Sequence, residues 1–225
     1  MKISTSLLIF GISGILILGC SKKEEKPPAP VTDIDGNTYK TVKIGIQIWM
    51  AENLKTTKLN DGSDIPLVTV SQDWKDLITS AYCWYNNDKI SNSDPYGALY
   101  NCYTVTSGKL CPTGWHIPAI EEMQLLCGFL GDTLKGGGKL KESGTAHWLF
   151  PNTGATNSTG FFALPAGIRY FEGSFTAIQH FTGFWSSTEA GSDEASFLSL
   201  YYGDATVKIN NTSKNQGLSI RCIKN

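Results

Sequence analysis

From Gly114 to Gly131 the chain reads GWHIPAIEEMQLLCGFLG, and this stretch decides the class of fold. After Pro118 the apolar residues Ile120, Met123, Leu126, Cys127 and Leu130 recur at helical spacing, while Glu121, Glu122 and Gln124 fall off that stripe. The two glutamates stand in the first turn, where the positive end of the helix dipole favours them. Gly131 is placed to end the helix in a left-handed cap. One face of this helix must be buried, so Cys127 reads as a small hydrophobe of the core and as the cysteine left unpaired.

Upstream, Val31 to Met50 alternates around an Asp35-Gly36 turn and again around Gly45, with Tyr39, Val42, Ile44, Ile46, Ile48 and Trp49 suited to paired strands. Asp33-Ile34-Asp35-Gly36 has the opening of a calcium loop, but the remaining ligands and the closing glutamate are missing, which leaves a turn. Downstream, Gly, Asn, Ser and Thr dominate, interrupted by Gly160 to Leu164, Phe184-Trp185, Phe197 to Tyr202 and Leu218 to Ile223, which read as short strands among long loops. Gly136-Gly137-Gly138-Lys139 is not a phosphate loop: its spacing is wrong and Leu140 stands where the magnesium-coordinating hydroxyl belongs, so a flexible turn is expected. One or two helices beside an irregular antiparallel sheet make an α+β domain.

At the amino terminus Lys2 precedes an apolar run from Ile3 to Leu18, then Gly19 and Cys20, which is the organisation of a signal peptide over residues 1–19. The run is shorter than the roughly 20 residues of a spanning helix. Residues 21–30 carry five charges and three prolines and read, with Cys20, as a flexible tether. Residues 31–225 then suit one domain. The net charge of -1 gives no basic face for a nucleic-acid partner.

Ile17-Leu18-Gly19-Cys20 resembles the lipobox of bacterial lipoproteins. That resemblance implies a lipidated Cys20 as first residue of the mature chain, with membrane lipid as its partner. Two or more acyl chains anchor stably where one does not, at about 0.8 kcal/mol per buried methylene. The run Ser21 to Glu25 resembles the acidic export signals of Bacteroidetes lipoproteins, which implies an outer-membrane anchor facing the cell surface.

Setting Cys20 aside leaves Cys83, Cys102, Cys111, Cys127 and Cys222 in a chain bound for an oxidising compartment, where structural disulfides are expected. No Cys-x-x-Cys pair occurs and the three histidines are scattered, so neither a metal site nor a cofactor is expected. Closing Cys111 to Cys222 would restrain a loop of roughly 110 residues, worth about 4 to 5 kcal/mol in the chain-entropy model. Cys83 with Cys102 is the second candidate pair.

Taken in order, several motifs resemble the Fibrobacter succinogenes major paralogous domain. They are Asp35 to Tyr39, Trp49 to Leu54, Trp84 to Asp88, Tyr96 to Asn101, Cys111 to Pro118, Gly138 to Lys141, Pro151 to Asn157, Phe184 to Glu189 and Ile220 to Cys222. Gly114 to Pro118, the helix after it and the closing Ile220-Arg221-Cys222 also look like the C-type lectin-like fold and the formylglycine-generating enzymes. In that fold a cysteine near the helical region pairs with one on the last strand, which again implies Cys111 with Cys222. Two departures stand out. Ala119 replaces the usual Thr or Ser, removing a side-chain cap at a cost of about 1 kcal/mol. Cys102 replaces a frequent Trp, which is what makes a bridge to Cys83 conceivable.

A lectin-like domain implies a non-catalytic module that binds a glycan or a surface protein through loop side chains, with Tyr85, Asn86, Asn87, Asp88, Tyr201 and Tyr202 as candidates. The paired Glu-Pro-Asn and Trp-Asn-Asp motifs of calcium-dependent lectins are missing. An enzyme of the formylglycine-generating type would need two neighbouring cysteines late in the chain, and Cys222 stands alone after Cys127, so no catalytic residue is assigned. A structural envelope component without a small ligand is the alternative.

Overall fold

The computed structural model describes Met1 and residues 26–225. Residues 2–25, with Cys20 and most of the expected signal peptide and tether, lie outside the described residues.

The chain enters as two hairpins. β1 (Val31–Thr32) and β2 (Thr38–Tyr39) pair across a turn closed by Gly36 N–H on the Asp33 carbonyl. The Asp33 carboxylate accepts from Asn37 N–H, Asn37 Nδ2 and Tyr39 OH, so this acid serves the turn. β3 (Thr41–Ile44) and β4 (Gln47–Met50) then pair through Gly45, whose φ of +61° suits glycine.

Next come α1 (Ser71–Lys75), β5 (Tyr82–Cys83), α2 (Lys89–Tyr96), β6 (Leu99–Tyr100), α3 (Cys102–Thr106) and β7 (Trp115–His116). They are followed by α4 (Ile120–Leu130), α5 (Thr133–Leu140), β8 (Ala166–Arg169), β9 (Phe175–Ile178), β10 (Phe181–Glu189), β11 (Glu194–Tyr201), β12 (Lys208–Ser213) and β13 (Ile223–Lys224). A five-stranded sheet runs β12-β11-β10-β8-β9, and a four-stranded sheet runs β3-β4-β13-β7. The last strand thus slots between the entry hairpin and the strand before α4, with Ile223 opposite both Trp49 and His116.

The class is α+β, as expected, but five helices stand among the described residues rather than one or two. The extra ones carry no long apolar stripe to announce them: α1 and α3 have five residues each and α2 contains Pro95. Gly160 to Leu164 is not a strand; it contributes a single bridge, Ala163 to Lys141.

α4 follows the sequence pattern closely, burying Met123, Leu126, Cys127 and Leu130 and ending at Gly131 with φ +83°. The cap missing at Ala119 comes from elsewhere in the chain. Thr188 Oγ1 of β10 accepts from Ile120 N–H at 3.0 Å, and the Glu122 carboxylate accepts from Ala119 N–H at 2.8 Å.

Cys111 and Cys222 form a disulfide with Cα atoms 6.0 Å apart. Cys83, Cys102 and Cys127 are free and buried, so the second bridge does not form. The reason is register. Cys83 faces Leu99 across the β5-β6 ladder, and Cys102 lies three residues further on, inside α3. Three residues span roughly 10 Å along a strand, beyond the 7 Å limit for bridging Cα atoms.

Burial pushes the thiol of Cys83 up to about 12 and that of Cys102 up to about 11, and it raises Cys127. Unfolded thiols ionise from about pH 8.5 while the folded ones hold their protons. The folded state then binds more protons and stability falls with rising pH, by about 1.4 kcal/mol per unit for each thiol. Buried Lys141, lowered by burial to about 8, and Arg221, lowered to about 9, work in the opposite direction, but Tyr39, Tyr82 and Tyr100, which burial raises, join the thiols above pH 10. Urea midpoints should therefore drop between pH 8.5 and 11. Replacing the three free cysteines by alanine should shrink the drop, and a flat wild-type profile would refute the account.

Candidate functional site

The segment from Leu218 to Cys222 is stitched into the core by backbone bonds. Leu218, Ser219, Ile220 and Cys222 offer carbonyls to the N–H groups of Tyr100, Trp185, Leu54 and Met50. This fixes the backbone on both sides of Arg221, whose residue is only 1% exposed. Its guanidinium lies 4.7 Å from the ring centre of Phe161 and 5.4 Å from that of Phe184. Nε donates to Asn53 Oδ1 (2.6 Å), Nη1 to the carbonyls of Met50 (3.1 Å) and Phe161 (2.6 Å), and Nη2 to that of Phe162 (3.1 Å). Asn53 is itself held by Nδ2 bonds to Tyr96 O and Ser219 Oγ. Burial lowers the guanidinium to about 9, with the Glu52 charge opposing, so it is cationic at neutral pH.

Arg221 and Asn53 open onto a cleft of about 380 Å³, which falls in the size range of small-molecule sites, about 300 to 1,000 Å³. Lys40, Glu52, Asp94, His147, Asn157 and Phe162 line it too, with Pro95 and Leu164 supplying apolar wall. Glu52 accepts the Lys40 backbone N–H at 2.7 Å, and Asp94 is paired with Lys55 at 2.8 Å. His147 Nδ1 is 2.8 Å from Glu142 Oε1, and its ring meets Tyr96 edge to face.

Phe162 has an unusual backbone. Its φ is +54°, a left-handed conformation that bulky residues rarely adopt, yet 38% of the residue remains exposed. The strain is held from both sides: Phe162 N–H donates to Asn157 Oδ1 at 2.9 Å, and its carbonyl receives Arg221. Strained residues that persist in this way cluster at ligand sites.

The residues singled out from sequence lie elsewhere. Tyr85 packs edgewise on Phe175 with ring centres 5.5 Å apart. Asn86 and Asn87 take left-handed φ values of 52° and 57° in a 3₁₀ turn, and Asp88 caps α2 by accepting Ser91 N–H at 3.1 Å. Tyr201 and Tyr202 pack on each other at 4.7 Å, with Tyr202 also against His180. None of the six lines the cleft. Arg221 and Asn53 were visible only as members of motifs, and Phe162 only as part of an apolar run. Among the described residues no group of three or more His, Cys, Asp and Glu could hold a metal ion.

The glycines of 136–138 are helical, not a flexible turn: they lie in α5, packed against neighbouring backbone. A Cβ on Gly138 would stand 2.1 Å from the Gly154 carbonyl oxygen, and one on Gly137 would stand 2.4 Å from that of Thr206. Gly138→Ala should therefore destabilise by about 2 to 3 kcal/mol through overpacking, despite the roughly 1 kcal/mol that alanine gains in a helix. Gly136→Ala meets only side chains, Leu130 at 3.0 Å and Val207 at 3.5 Å, and should cost much less. Equal urea midpoints for the two variants would contradict the close approach.

Comparison with curated proteins finds no match, and no solved structure matches the chain. A family model described as the Fibrobacter succinogenes major domain matches residues 42–224, a span that takes in the disulfide, α4 and every cleft residue but Lys40, and the chain belongs to that family.

Proposed function

We propose that this chain is an exported lipoprotein, held at the outer membrane and facing the cell surface by acyl chains on Cys20, whose folded domain is a non-catalytic binding module for a glycan. The observation that carries the binding role is Phe162: a strained aromatic, pinned through both backbone groups, that presents part of its surface at this cleft. An exposed aromatic can stack on the apolar face of a sugar ring, while the amides of Asn53 and Asn157 and the carboxylates of Glu52 and Asp94 suit hydroxyl groups.

The detergent-solubilised lipoprotein, applied to a glycan array with and without calcium, should bind a defined set of glycans, and Phe162→Ala should weaken that binding. Failure to bind any glycan would remove the glycan proposal and leave a protein partner or a structural role. The anchor has a separate test: Cys20→Ala should release the protein from the membrane fraction, and a variant that stays there would overturn lipidation.

A further inference from the structure

We infer that the ligand of the cleft carries a carboxylate, received by the guanidinium of Arg221 in the cleft lining. The inference rests on the reading of the cleft as a ligand site and adds the chemical class of what enters it.

Four cations are buried in this domain, Lys141, Arg169, Lys214 and Arg221, and Lys214 is ion-paired with Glu189. Lys141 is closed off, because its three ammonium donors reach the carbonyls of Thr153, Tyr201 and Asp204. Arg169 donates to the carbonyls of Gly173, Val68 and Thr69, lies over the Trp74 and Phe175 rings, and does not line the cleft. Arg221 differs from the others in its place. It lines the cleft, and of its five N–H donors four are taken, which leaves one Nη2 hydrogen without an acceptor among the described residues.

All four acceptors on Arg221 are neutral, being three carbonyls and one amide oxygen. The charge is therefore solvated by dipoles and rings and makes no contact with an anion. Glu52 is the acid whose charge acts on it, and that carboxylate accepts the Lys40 N–H. Asp94 is held by Lys55. A buried cation that lines an open cleft and touches no anion is a preorganised receptor for one, since the cost of burying the charge is already met by the fold. Lys40 at the exposed rim adds a second positive charge. With Phe162 beside it, the arrangement fits a sugar acid: ring face on the aromatic, carboxylate on the guanidinium.

Calorimetry on the detergent-solubilised full chain with three probes tests this: digalacturonate, its neutral counterpart digalactose, and phenylacetate, a carboxylate without a sugar. Digalacturonate should bind at least about tenfold more tightly than digalactose, as expected for gaining a charge-assisted hydrogen bond. Phe162→Ala should weaken both saccharides, and Lys40→Gln should narrow the gap between them. Equal affinity for the two saccharides would overturn the carboxylate and leave the glycan proposal standing. Binding of phenylacetate alone would uphold the carboxylate and overturn the glycan. Binding of none of the three, or digalacturonate binding untouched by Phe162→Ala, would overturn the inference.

Discussion

Arg221→Leu should destabilise the domain by at least about 3 kcal/mol, and Arg221→Lys should recover only part of the loss. Leucine fills much of the space between Phe161 and Phe184 but donates nothing. Asn53 Oδ1 and the carbonyls of Met50, Phe161 and Phe162 would lose their partner together. A buried acceptor left unsatisfied costs about 1 to 3 kcal/mol. Against this stands the relief of no longer burying a cation, which is substantial because replacing a complete buried charge network by apolar groups can be neutral. Here the replacement is one-sided, since the three backbone carbonyls and the Asn53 amide oxygen stay behind. Four neutral acceptors left unpaired together outweigh that relief, which sets the expected loss at about 3 kcal/mol or more. Lysine restores the charge, but a single ammonium has three donors and no plane to stack between two rings. Urea unfolding at pH 7 decides the matter, and a midpoint for Arg221→Leu within about 0.5 kcal/mol of wild type would refute the network. The same variant frees the Phe162 carbonyl, so glycan affinity should weaken even where the variant stays folded.

The parts of this fold that could be read from sequence were those in which local and tertiary preferences agree. α4 combines an apolar stripe, acidic first turn and terminal glycine, and all three appear in place. The entry hairpins were legible for the same reason, with turn residues at Gly36 and Gly45 between alternating strands. Where the readings missed, a long-range contact overrode the local signal. Three successive glycines argue against a helix by propensity, yet α5 needs Gly137 and Gly138 because other backbone passes too close for a Cβ. Phe161 and Phe162 have the composition of a strand, but one is drawn into the core and the other is held in a left-handed turn. Cys83 and Cys102 are separated by 19 positions, a spacing that says nothing about the ladder register that keeps them apart. The cleft was the least legible feature. Its lining unites Asn53, Phe162 and Arg221 from segments roughly 60 to 170 residues apart. Each was visible in its own motif, and nothing in the sequence announced their meeting.

Removing the disulfide, by Cys111→Ala with Cys222→Ala, should cost about 4 to 5 kcal/mol. The two cysteines are 111 positions apart, and a cross-link closing a loop of that length removes about 4.7 kcal/mol of chain entropy from the unfolded state in the loop-closure model. Its position adds to the effect. Cys222 immediately precedes β13, the strand wedged between β4 and β7, and its carbonyl accepts from Met50 N–H. Cys111 immediately precedes the turn leading into β7, so the disulfide fastens the last strand on its β7 side while the Met50 bond holds it to β4. Domains of this kind are stable by only about 5 to 15 kcal/mol, so the loss takes a large share of the whole. Both cysteines are buried, at 4% and 0% exposed, which shields the bond from thiols in the folded protein. Reductant should therefore act slowly under native conditions and quickly in partial denaturant, once the sheet opens. The double-alanine variant should unfold at a much lower urea concentration with a similar slope. An unchanged midpoint would mean that strand pairing alone secures β13. A large fall would mean that the fold depends on a bond that persists in oxidising compartments, which is where an exported chain matures.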